Sequence, residues 1–425
     1  MEKRILRLAG IGCGARTRTY CALAARMPDK YLVVAGADPV AERVERVRET
    51  STRPNSFRTF PGAAELLAEE QLADVAIIGT QDRDHLACAL GAMERGYDLL
   101  LEKPAATSPG DVRMLQERAR ELGRRVLVCH VLRYTPLYRS VKNLIEDGSL
   151  GRILSAQATE GVGTWHHAHS FVRGHWALTA ESSPMILAKA CHDLDILAWL
   201  FGEPCCAVRS FGGLAFFQHA NAPVGAPERC SPDCPVETSC AYSALRYLDE
   251  RRSWLPLIYD RADSATHEEI REWITRSPWG RCVYRCDNTA VDHQILAMEF
   301  VSGATATFTM TAFDKGRRLA LFGTRASLRA EYGTGAEPLI TVCDHETGAI
   351  TKHPVERGPE KDAYGHGDGD RGLMEALYEE MSHPDPAAMT TSLDTSVHSH
   401  LIAFAAERSR LEQQTVDPRD FTNGA

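Results

Sequence analysis

Short apolar segments alternate with helix-period segments through the first 130 residues, and this alternation limits the fold more than any other feature. The apolar segments span residues 5–11, 31–35, 75–78, 99–101 and 125–130. Continuous apolar runs of this length are typical of strands that are covered on both faces. The helical segments between them span residues 40–48, 62–69, 83–95 and 109–122. The pattern predicts an α/β domain with a doubly wound parallel sheet over residues 1–130.

The pattern changes after residue 130. Helical periodicity at 137–145 and 187–201 is followed, from residue 291, by hairpin signals at 296–310 and 339–355. This combination predicts an α+β domain with a mainly antiparallel sheet over residues 131–370. A Pro- and Cys-bearing stretch at about 218–288 has little strand signal and is interpreted as an insertion. Residues 371–425 are predicted to form a C-terminal helical segment.

Composition excludes several classes of function. The chain has 425 residues, more than one ordinary core holds, and a formal net charge of −9, which argues against a nucleic-acid partner. It contains no run of about 18 apolar residues, so we expect no membrane span. The N-terminal residues lack the apolar centre of a signal peptide, which favours a cytoplasmic protein. Its thirteen cysteines are then expected to be thiols or metal ligands and not disulfides.

A glycine-rich turn follows the first predicted strand directly. Its sequence, Gly12-Cys-Gly14-Ala15-Arg16-Thr17, has glycine where a chain turns sharply and approaches a pyrophosphate, before the N-terminus of a helix. Thr17 replaces the third glycine of the dinucleotide fingerprint. Asp38 ends the second strand, where a carboxylate accepts from a ribose 2′-hydroxyl and repels a 2′-phosphate. These residues predict a Rossmann domain that binds NAD in preference to NADP, although Asp38 alone is equally compatible with a helix cap.

Three further motifs stand at strand ends or open a helix. They are Gly79-Thr80-Gln81, Glu102-Lys103-Pro104 and Ala190-Cys-His192-Asp193-Leu-Asp195. Together with the glycine-rich turn they resemble the Gfo/Idh/MocA oxidoreductase family over nearly the whole chain. The resemblance implies dehydrogenation of a sugar, polyol or related alcohol with a nicotinamide cofactor, commonly in homo-oligomers. It also implies cofactor contacts from the loops after the strands, namely from Thr80, Gln81, His85, Glu102 and Lys103.

The same resemblance places His192 on the active-site histidine of the family. The family usually has an aspartate four residues earlier, but this chain has Ala188 there, followed by Lys189. The missing partner of His192 is therefore expected to be Asp193 or Lys189. Independently of the family, oxidation of an alcohol needs a base and a cation for the developing alkoxide, and His192 and Lys103 supply these two chemistries. The alternatives are a surface lysine and a structural histidine.

Residues 165–176 concentrate histidine, tryptophan and arginine. Aromatic faces with scattered hydrogen-bond donors suit a sugar ring, so this stretch is predicted to be a substrate-facing loop, with an ordinary packed loop and a metal site as alternatives. Arg133, Arg173 and Lys189 are candidates to receive an anionic group. A Gly-rich loop around His366 resembles an active-site loop of the family. The predicted substrate-binding residues are Arg133, Trp165, His166, His169, Arg173, Trp176, Lys189 and His366.

The insertion carries a group of cysteines at short spacing. Cys230, Cys234 and Cys240 are followed by Cys282 and Cys286. Thiolates at such spacing hold tetrahedral zinc in some intracellular proteins, but the spacing differs from that of a standard zinc knuckle. A zinc site formed by the first three with Cys282 or Cys286, and a set of free buried thiols, both remain open.

Three functions are compatible with these residues. The first is an NAD-dependent dehydrogenase for a sugar, polyol or sugar derivative. The second is a redox-neutral glycosidase that oxidises a ring hydroxyl transiently, eliminates the aglycone and adds water, and it requires the same Lys103 and His192. The third, a non-catalytic NAD-binding regulator, needs neither. The expected partner is a small carbohydrate, with no nucleic acid and no membrane.

Overall fold

The computed structural model describes residues 4–335, 337–355, 366, 368–383 and 389–422. In the first domain, six parallel strands form a sheet in the order β3-β2-β1-β4-β5-β6. The strands are β1 (Leu6–Ile11), β2 (Tyr31–Ala37), β3 (Arg58–Phe60), β4 (Val75–Ile78), β5 (Asp98–Leu101) and β6 (Val126–Val128). The helices between them are α1 (Ala15–Ala25), α2 (Ala41–Thr50), α3 (Ala63–Ala68), α4 (His85–Glu94) and α5 (Pro109–Glu121). The predicted doubly wound parallel sheet is confirmed.

The strand order places a ligand crevice. The chain runs outward from β1 to β3 and then crosses back to β4 on the other side of β1, so the loops after β1 and β4 diverge at the carboxyl edge of the sheet. Ligands bind in this crevice in open α/β sheets. Strand β3 is absent from the sequence prediction because it has three residues, of which only Phe60 is buried.

The second domain contains an eight-stranded sheet in the order β14-β13-β12-β11-β7-β10-β9-β8. Its strands are β7 (Ile153–Val162), β8 (Cys205–Gly213), β9 (His293–Phe300), β10 (Thr305–Thr311), β11 (Lys315–Gly323), β12 (Ala326–Tyr332), β13 (Leu339–Asp344) and β14 (Ile350–Pro354). Strands β7 and β10 are parallel and the other neighbours are antiparallel, so the mainly antiparallel sheet is confirmed. The prediction omitted β7, β8, β11 and β12.

The remaining helices follow the first domain in the sequence. They are α6 (Pro136–Glu146), α7 (Thr164–His167), α8 (Met185–Ala188), α9 (Cys191–Phe201), α10 (His267–Arg276), α11 (Gly369–Ser382) and α12 (Leu393–Glu412). Helix α11 contributes Leu373, Met374 and Leu377 to a core that also contains residues of β1 and β2. Helix α12 packs between α9, β8 and α5, so the C-terminal residues bridge the first domain to the second.

The insertion has its own small cores. Within residues 218–288, the regular structure consists of α10 and short 3-10 turns. One apolar cluster joins this segment to Trp165, and a second joins it to Ala168 and Val172. The inserted segment therefore packs directly behind the histidine-rich stretch. Among the helices in the described ranges, none has the length and apolar composition that crossing a membrane requires.

Candidate active site and NAD-binding crevice

The turn after β1 fits a pyrophosphate. Gly12 has a φ of +79°, and a Cβ there would lie 2.7 Å from backbone atoms of Gly79. A Cβ at Gly14 would meet no atom within 4 Å, so the backbone there borders open space. Helix α1 begins at Ala15, and no side chain caps its N-terminus. The exposed N–H groups and the room beside Gly14 are the features that a dinucleotide phosphate requires.

Thr17 takes the place of the third glycine because two other glycines make room for it. Its side chain is fully buried, and its hydroxyl donates to the carbonyl of Gly12 at 2.5 Å. A Cβ at Gly79 would lie 2.2 Å from the Thr17 hydroxyl, and a Cβ at Gly10 would lie 2.8 Å from its methyl group. The close approach of α1 to the sheet is thus preserved by glycine on the strand side of the contact.

Asp38 holds the glycine-rich turn from the end of β2. Its Oδ2 accepts from the backbone N–H of Cys13 at 2.8 Å, and its Oδ1 accepts from that of Val40 at 2.9 Å. Arg43, the nearest arginine along α2, forms a two-bond ion pair with Asp260 of the insertion. A carboxylate at the ribose position and an arginine engaged elsewhere both fit NAD better than NADP.

The loops after β4 and β5 are tied to each other. His85 lies with Nδ1 2.7 Å from the carbonyl oxygen of Pro104 and with Nε2 3.3 Å from that of Thr80. The imidazole therefore bridges the two loops. Gln81 is exposed beside Thr80, at the mouth of the crevice.

Glu102 anchors the start of the Glu102-Lys103-Pro104 motif. It accepts from Tyr20 at 2.7 Å and from the guanidinium of Arg16 at 2.9 Å, and its other oxygen accepts from the backbone N–H of Lys103 at 3.0 Å. Burial alone raises the pKa of Glu102, but Arg16 and Lys103 outweigh it and leave the pKa below its usual value. Arg16 also pairs with Asp370, so Arg16 and Glu102 fix the loop from beneath.

Lys103 and His192 meet at the carboxyl edge of the sheet. The Nζ of Lys103 donates to the carbonyl oxygen of Ala188 at 2.6 Å, one turn before His192. Position 188, where the family places an aspartate, thus still contacts the lysine through its main chain. Burial lowers the pKa of His192 well below its usual value, and the neighbouring Lys103 and His366 lower it further. His192 is therefore a neutral imidazole at neutral pH.

Two further predicted residues lie near this pair. The imidazole of His366 is 5.8 Å from that of His192, measured between ring centroids. His366 also lies 3.3 Å from Asp370, at the start of α11. Burial lowers the pKa of His166, and the nearby charges of Lys189 and Lys103 lower it further. The structure therefore brings together Lys103, His166, Lys189, His192 and His366.

Asp193 and Lys189 belong to a buried ionic cluster between α9 and the second sheet. The carboxylate of Asp193 accepts from Arg317 at 2.7 Å, Arg317 lies 3.0 Å from Glu160, and Lys189 lies 3.4 Å from Glu160. Burial lowers the pKa of Lys189. Asp193 thus contacts β11 and not His192, so the expected rebuilding of a His–Asp pair from Asp193 finds no support in these contacts.

Arg133 and Arg173 are both buried and engaged. Arg133 donates to both oxygens of Asp195 at 2.7 and 2.6 Å, and also to the carbonyl of Thr390. Arg173 donates to the carbonyls of Arg281 and Tyr242. These contacts do not support the expectation that either arginine receives an anionic substrate.

The aromatic residues of the 165–176 stretch divide between two surroundings. Trp165 and His169 face the core of the insertion, where His169 lies 2.6 Å from the hydroxyl of Tyr247. Trp176 donates from its indole to Asp82, at the first turn after β4. Of the predicted residues in this stretch, His166 lies near enough to Lys103 and Lys189 for their charges to lower its pKa.

A residue from the C-terminal helix completes the support of the lysine loop. His400 of α12 accepts at Nε2 from the backbone N–H of Ala105 at 2.9 Å, and its Nδ1 lies 2.8 Å from the carbonyl of Ser396. His130 packs edge-on against both His192 and His400. Sequence reasoning missed His400, Glu160 and Arg317, since each lies in an ordinary helix or strand without a local motif.

Comparisons with known proteins agree with this geometry. Residues 6–130 match an oxidoreductase family with an NAD-binding Rossmann fold, Gfo/Idh/MocA, and residues 142–417 match the C-terminal alpha/beta domain of the same family. YteT of Bacillus subtilis, named an oxidoreductase, is 25% identical over 317 residues, which cover 72% of each chain. Inositol 2-dehydrogenase 4 of Saccharopolyspora erythraea is 28% identical over 209 residues, which cover 49% of this chain and 57% of that protein.

A solved structure extends the likeness in fold to nearly the whole chain. An oxidoreductase from Agrobacterium radiobacter, in complex with NAD+, L-tartaric acid and magnesium, superposes with a TM-score of 0.68 at 15% identity. The superposition covers 98% of this chain and 99% of that one. Because the two family descriptions together span both domains, the chain belongs to the Gfo/Idh/MocA family of oxidoreductases, and its first domain binds NAD.

Proposed function

We propose that this protein is an NAD-dependent dehydrogenase that oxidises a secondary hydroxyl of a sugar, polyol or sugar derivative. The observation that carries the proposal is the meeting of Lys103 with a buried, neutral His192 at the edge of the sheet where the cofactor binds. The similarity to an enzyme named inositol 2-dehydrogenase supports the choice of a polyol-like substrate.

The two side chains have complementary tasks. When bound, NAD supplies the acceptor for the hydride. The neutral imidazole of His192 takes the proton of the substrate hydroxyl, and burial favours this role because it keeps the base unprotonated. The ammonium of Lys103 has three N–H donors, and the carbonyl of Ala188 occupies one, so two remain for the oxygen of the substrate. A positive charge at this oxygen stabilises the developing alkoxide.

The surrounding charges favour an uncharged substrate. Arg133 is paired with Asp195, Arg173 with backbone carbonyls, and Lys189 with Glu160. Each of these three cations already has a hydrogen-bond or ion-pair partner, which disfavours its use as a receptor for a carboxylate or phosphate. Hydroxyl groups, in contrast, require only donors and acceptors of the kind that an imidazole such as that of His166 offers.

A comparison of matched lysine variants tests the proposal. Lys103→Met keeps the length of the side chain and removes its charge, and we expect kcat to fall on the order of 10²–10⁴-fold, with NAD binding retained. His192→Asn should behave likewise. Lys142→Met is the control, because Lys142 also donates to a helix carbonyl, that of Trp199, but lies outside the site. NADH absorbance, followed over a panel of sugars and polyols, measures turnover.

Two results would contradict the dehydrogenase. Turnover of Lys103→Met within about threefold of wild type would remove Lys103 from the reaction, since a positioned acid or base contributes at least 10²-fold. Release of the aglycone from aryl glycosides without accumulation of NADH would replace the dehydrogenase by the redox-neutral glycosidase. Both products are therefore measured in the same assay.

We also propose that the chain forms a homo-oligomer through the open face of the eight-stranded sheet. Phe211 of β8 and Ile295 of β9 are direct cross-strand neighbours on this face, and each is about half exposed (47% and 48%). Adjacent exposed apolar side chains on a flat sheet are typical of an interface between copies. Light scattering should give a multiple of 46.9 kDa for the wild type and a lower mass for Phe211→Asp with Ile295→Asp. A wild-type mass of one chain would refute this.

A further inference from the structure

Four of the thirteen cysteines line one cavity in the inserted segment. The four thiols belong to Cys230, Cys234, Cys240 and Cys282. The first three lie in one turn-rich stretch, whereas Cys282 follows α10. An antiparallel bridge between Arg229 and Arg281 brings the two parts together. In this bridge Cys230 donates from its backbone to Gly280, and Cys282 donates to Glu228, both at 2.9 Å.

Cys286 does not share this cavity. Its thiol donates to the carbonyl of Cys282 at 3.3 Å, and its side chain is buried in the neighbouring apolar cluster with Phe217 and Tyr284. The spacing in the sequence left Cys282 and Cys286 as equal candidates for a fourth thiol. The fold selects Cys282, because the bridge at Arg281 sets it beside Cys230.

Two guanidinium groups beside the thiols supply positive charge. Arg173 is 3% exposed, and its Nη2 lies 3.4 Å from the Sγ of Cys230. Arg229 lines the cavity itself. Within the part of the chain that the structure describes, the Nη1 of Arg173 and the Nε of Arg229 are buried without a hydrogen-bond partner. Buried guanidinium donors without an acceptor indicate that an anionic centre belongs beside them.

We propose that Cys230, Cys234, Cys240 and Cys282 bind one Zn²⁺ ion as thiolates, with Arg173 and Arg229 balancing the charge of the centre. Four thiols lose four protons to solvent, four Zn–S bonds form, and no electron is transferred. The resulting tetrathiolate zinc carries a charge of −2, which the two guanidinium groups neutralise. Tetrahedral Cys₄ sites of this type are structural.

Binding of the ion must be accompanied by closure of the cavity. Across the described ranges, no group of three or more His, Cys, Asp or Glu side chains is already arranged to hold a metal ion. Cys234 and Cys240 lie in turns outside any helix or strand. Local backbone hydrogen bonds hold these turns, from the N–H of Cys234 to the carbonyl of Ser231 and from the N–H of Cys240 to that of Val236. Such turns can move inward at little cost while the Arg229–Arg281 bridge keeps Cys230 and Cys282 in place.

The zinc would stabilise the wall behind the histidine-rich stretch. Arg173 belongs to that stretch, and it connects Cys230 to the carbonyls of Tyr242 and Arg281. The segment has no sheet of its own, and small units without a sheet commonly depend on a metal or a disulfide. This role is independent of the reaction at Lys103, so failure of the zinc site leaves the proposed dehydrogenase untouched.

Elemental analysis of the full chain, purified without added metal, tests the proposal. We expect about one zinc per chain in the wild type and in Cys286→Ser, and less than about 0.2 in Cys282→Ser. Should Cys282→Ser fail to fold, p-mercuribenzoate titration of the wild type decides instead, because complete reaction of the thiols should release about one zinc per chain. Cobalt substitution should give the intense thiolate-to-metal absorption of a tetrahedral Cys₄ site.

Three outcomes would overturn the site. One is a wild type that contains less than about 0.2 zinc per chain and binds none when zinc is supplied. Another is equal zinc in Cys282→Ser and Cys286→Ser. The third is iron with inorganic sulfide in place of zinc, which would assign the thiols to a cluster.

Discussion

The buried ion pair between Arg133 and Asp195 allows a quantitative test of the structure. Its two hydrogen bonds measure 2.7 and 2.6 Å, and the side chains are 4% and 1% exposed. Removal of one partner leaves the other charge buried without compensation, which costs about 3–5 kcal/mol. We therefore expect Arg133→Met and Asp195→Asn each to lower the free energy of unfolding by about this amount.

The double variant distinguishes a coupled pair from two separate contacts. The double variant contains neither the charge of Arg133 nor that of Asp195, so no buried charge is left without a partner. Its free energy of unfolding should therefore be about 2 kcal/mol higher than the sum of the two single losses predicts. Urea denaturation, followed by tryptophan fluorescence, measures all four proteins of the cycle. Additivity within about 0.5 kcal/mol would refute the coupling. A folded Arg133→Met that raises KM more than about tenfold, a change of ~1.4 kcal/mol, would instead return Arg133 to the substrate site.

Three further predictions concern Asp38, Gly79 and Asp370. NAD should bind at least about tenfold more tightly than NADP (~1.4 kcal/mol) in a titration at fixed salt. Asp38→Ser should reduce the ratio of the two affinities. If the ratio stays unchanged, Asp38 serves only as a helix cap. Gly79→Ala should lower the free energy of unfolding by about 1–3 kcal/mol, because its methyl group would clash with the hydroxyl of Thr17. Adding Thr17→Ala to this variant should restore much of the loss in the same unfolding assay. If the losses of the two substitutions simply add in the double variant, the clash is excluded. Burial raises the pKa of Asp370, but Arg16 and His366 outweigh it and leave the pKa below its usual value. The ionised carboxylate therefore stabilises the folded protein above pH ~4, and this contribution is lost as the pH falls further. Asp370→Asn should accordingly reduce stability at pH 7 and weaken its decline in acid, and an identical decline would place the acid-sensitive group elsewhere.

Local patterns were sufficient where consecutive residues determine the backbone. The parallel sheet, the turn at Gly12 and the carboxylate at Asp38 were all predicted, because continuous apolar runs and glycine positions act over a few residues. Strand β11 was missed because glycine and charged residues interrupt its apolar alternation, and because its partner β7 lies far away in the sequence.

Two contrasts show what tertiary structure decided. Arg133 and Lys189 were expected to be available cations, since no nearby position indicates Asp195 or Glu160 as their partners. His400 supports the lysine loop from 295 residues away, a contact that only the return of α12 creates. Charge compensation in a buried site depends on which helices and strands pack together. The local sequence around a charged residue does not indicate which elements these are.

The sequence by itself determined the NAD-binding domain and the family, and it singled out Lys103 and His192 as candidate catalytic residues, because each rests on a motif that is short and contiguous. Only the tertiary structure decided which cations are already neutralised. It also decided that Cys282 lines the cavity and that Cys286 does not. The physical reason is the same in both cases. Desolvation and ion pairing act through space, so their outcome depends on residues that the fold brings together across hundreds of positions.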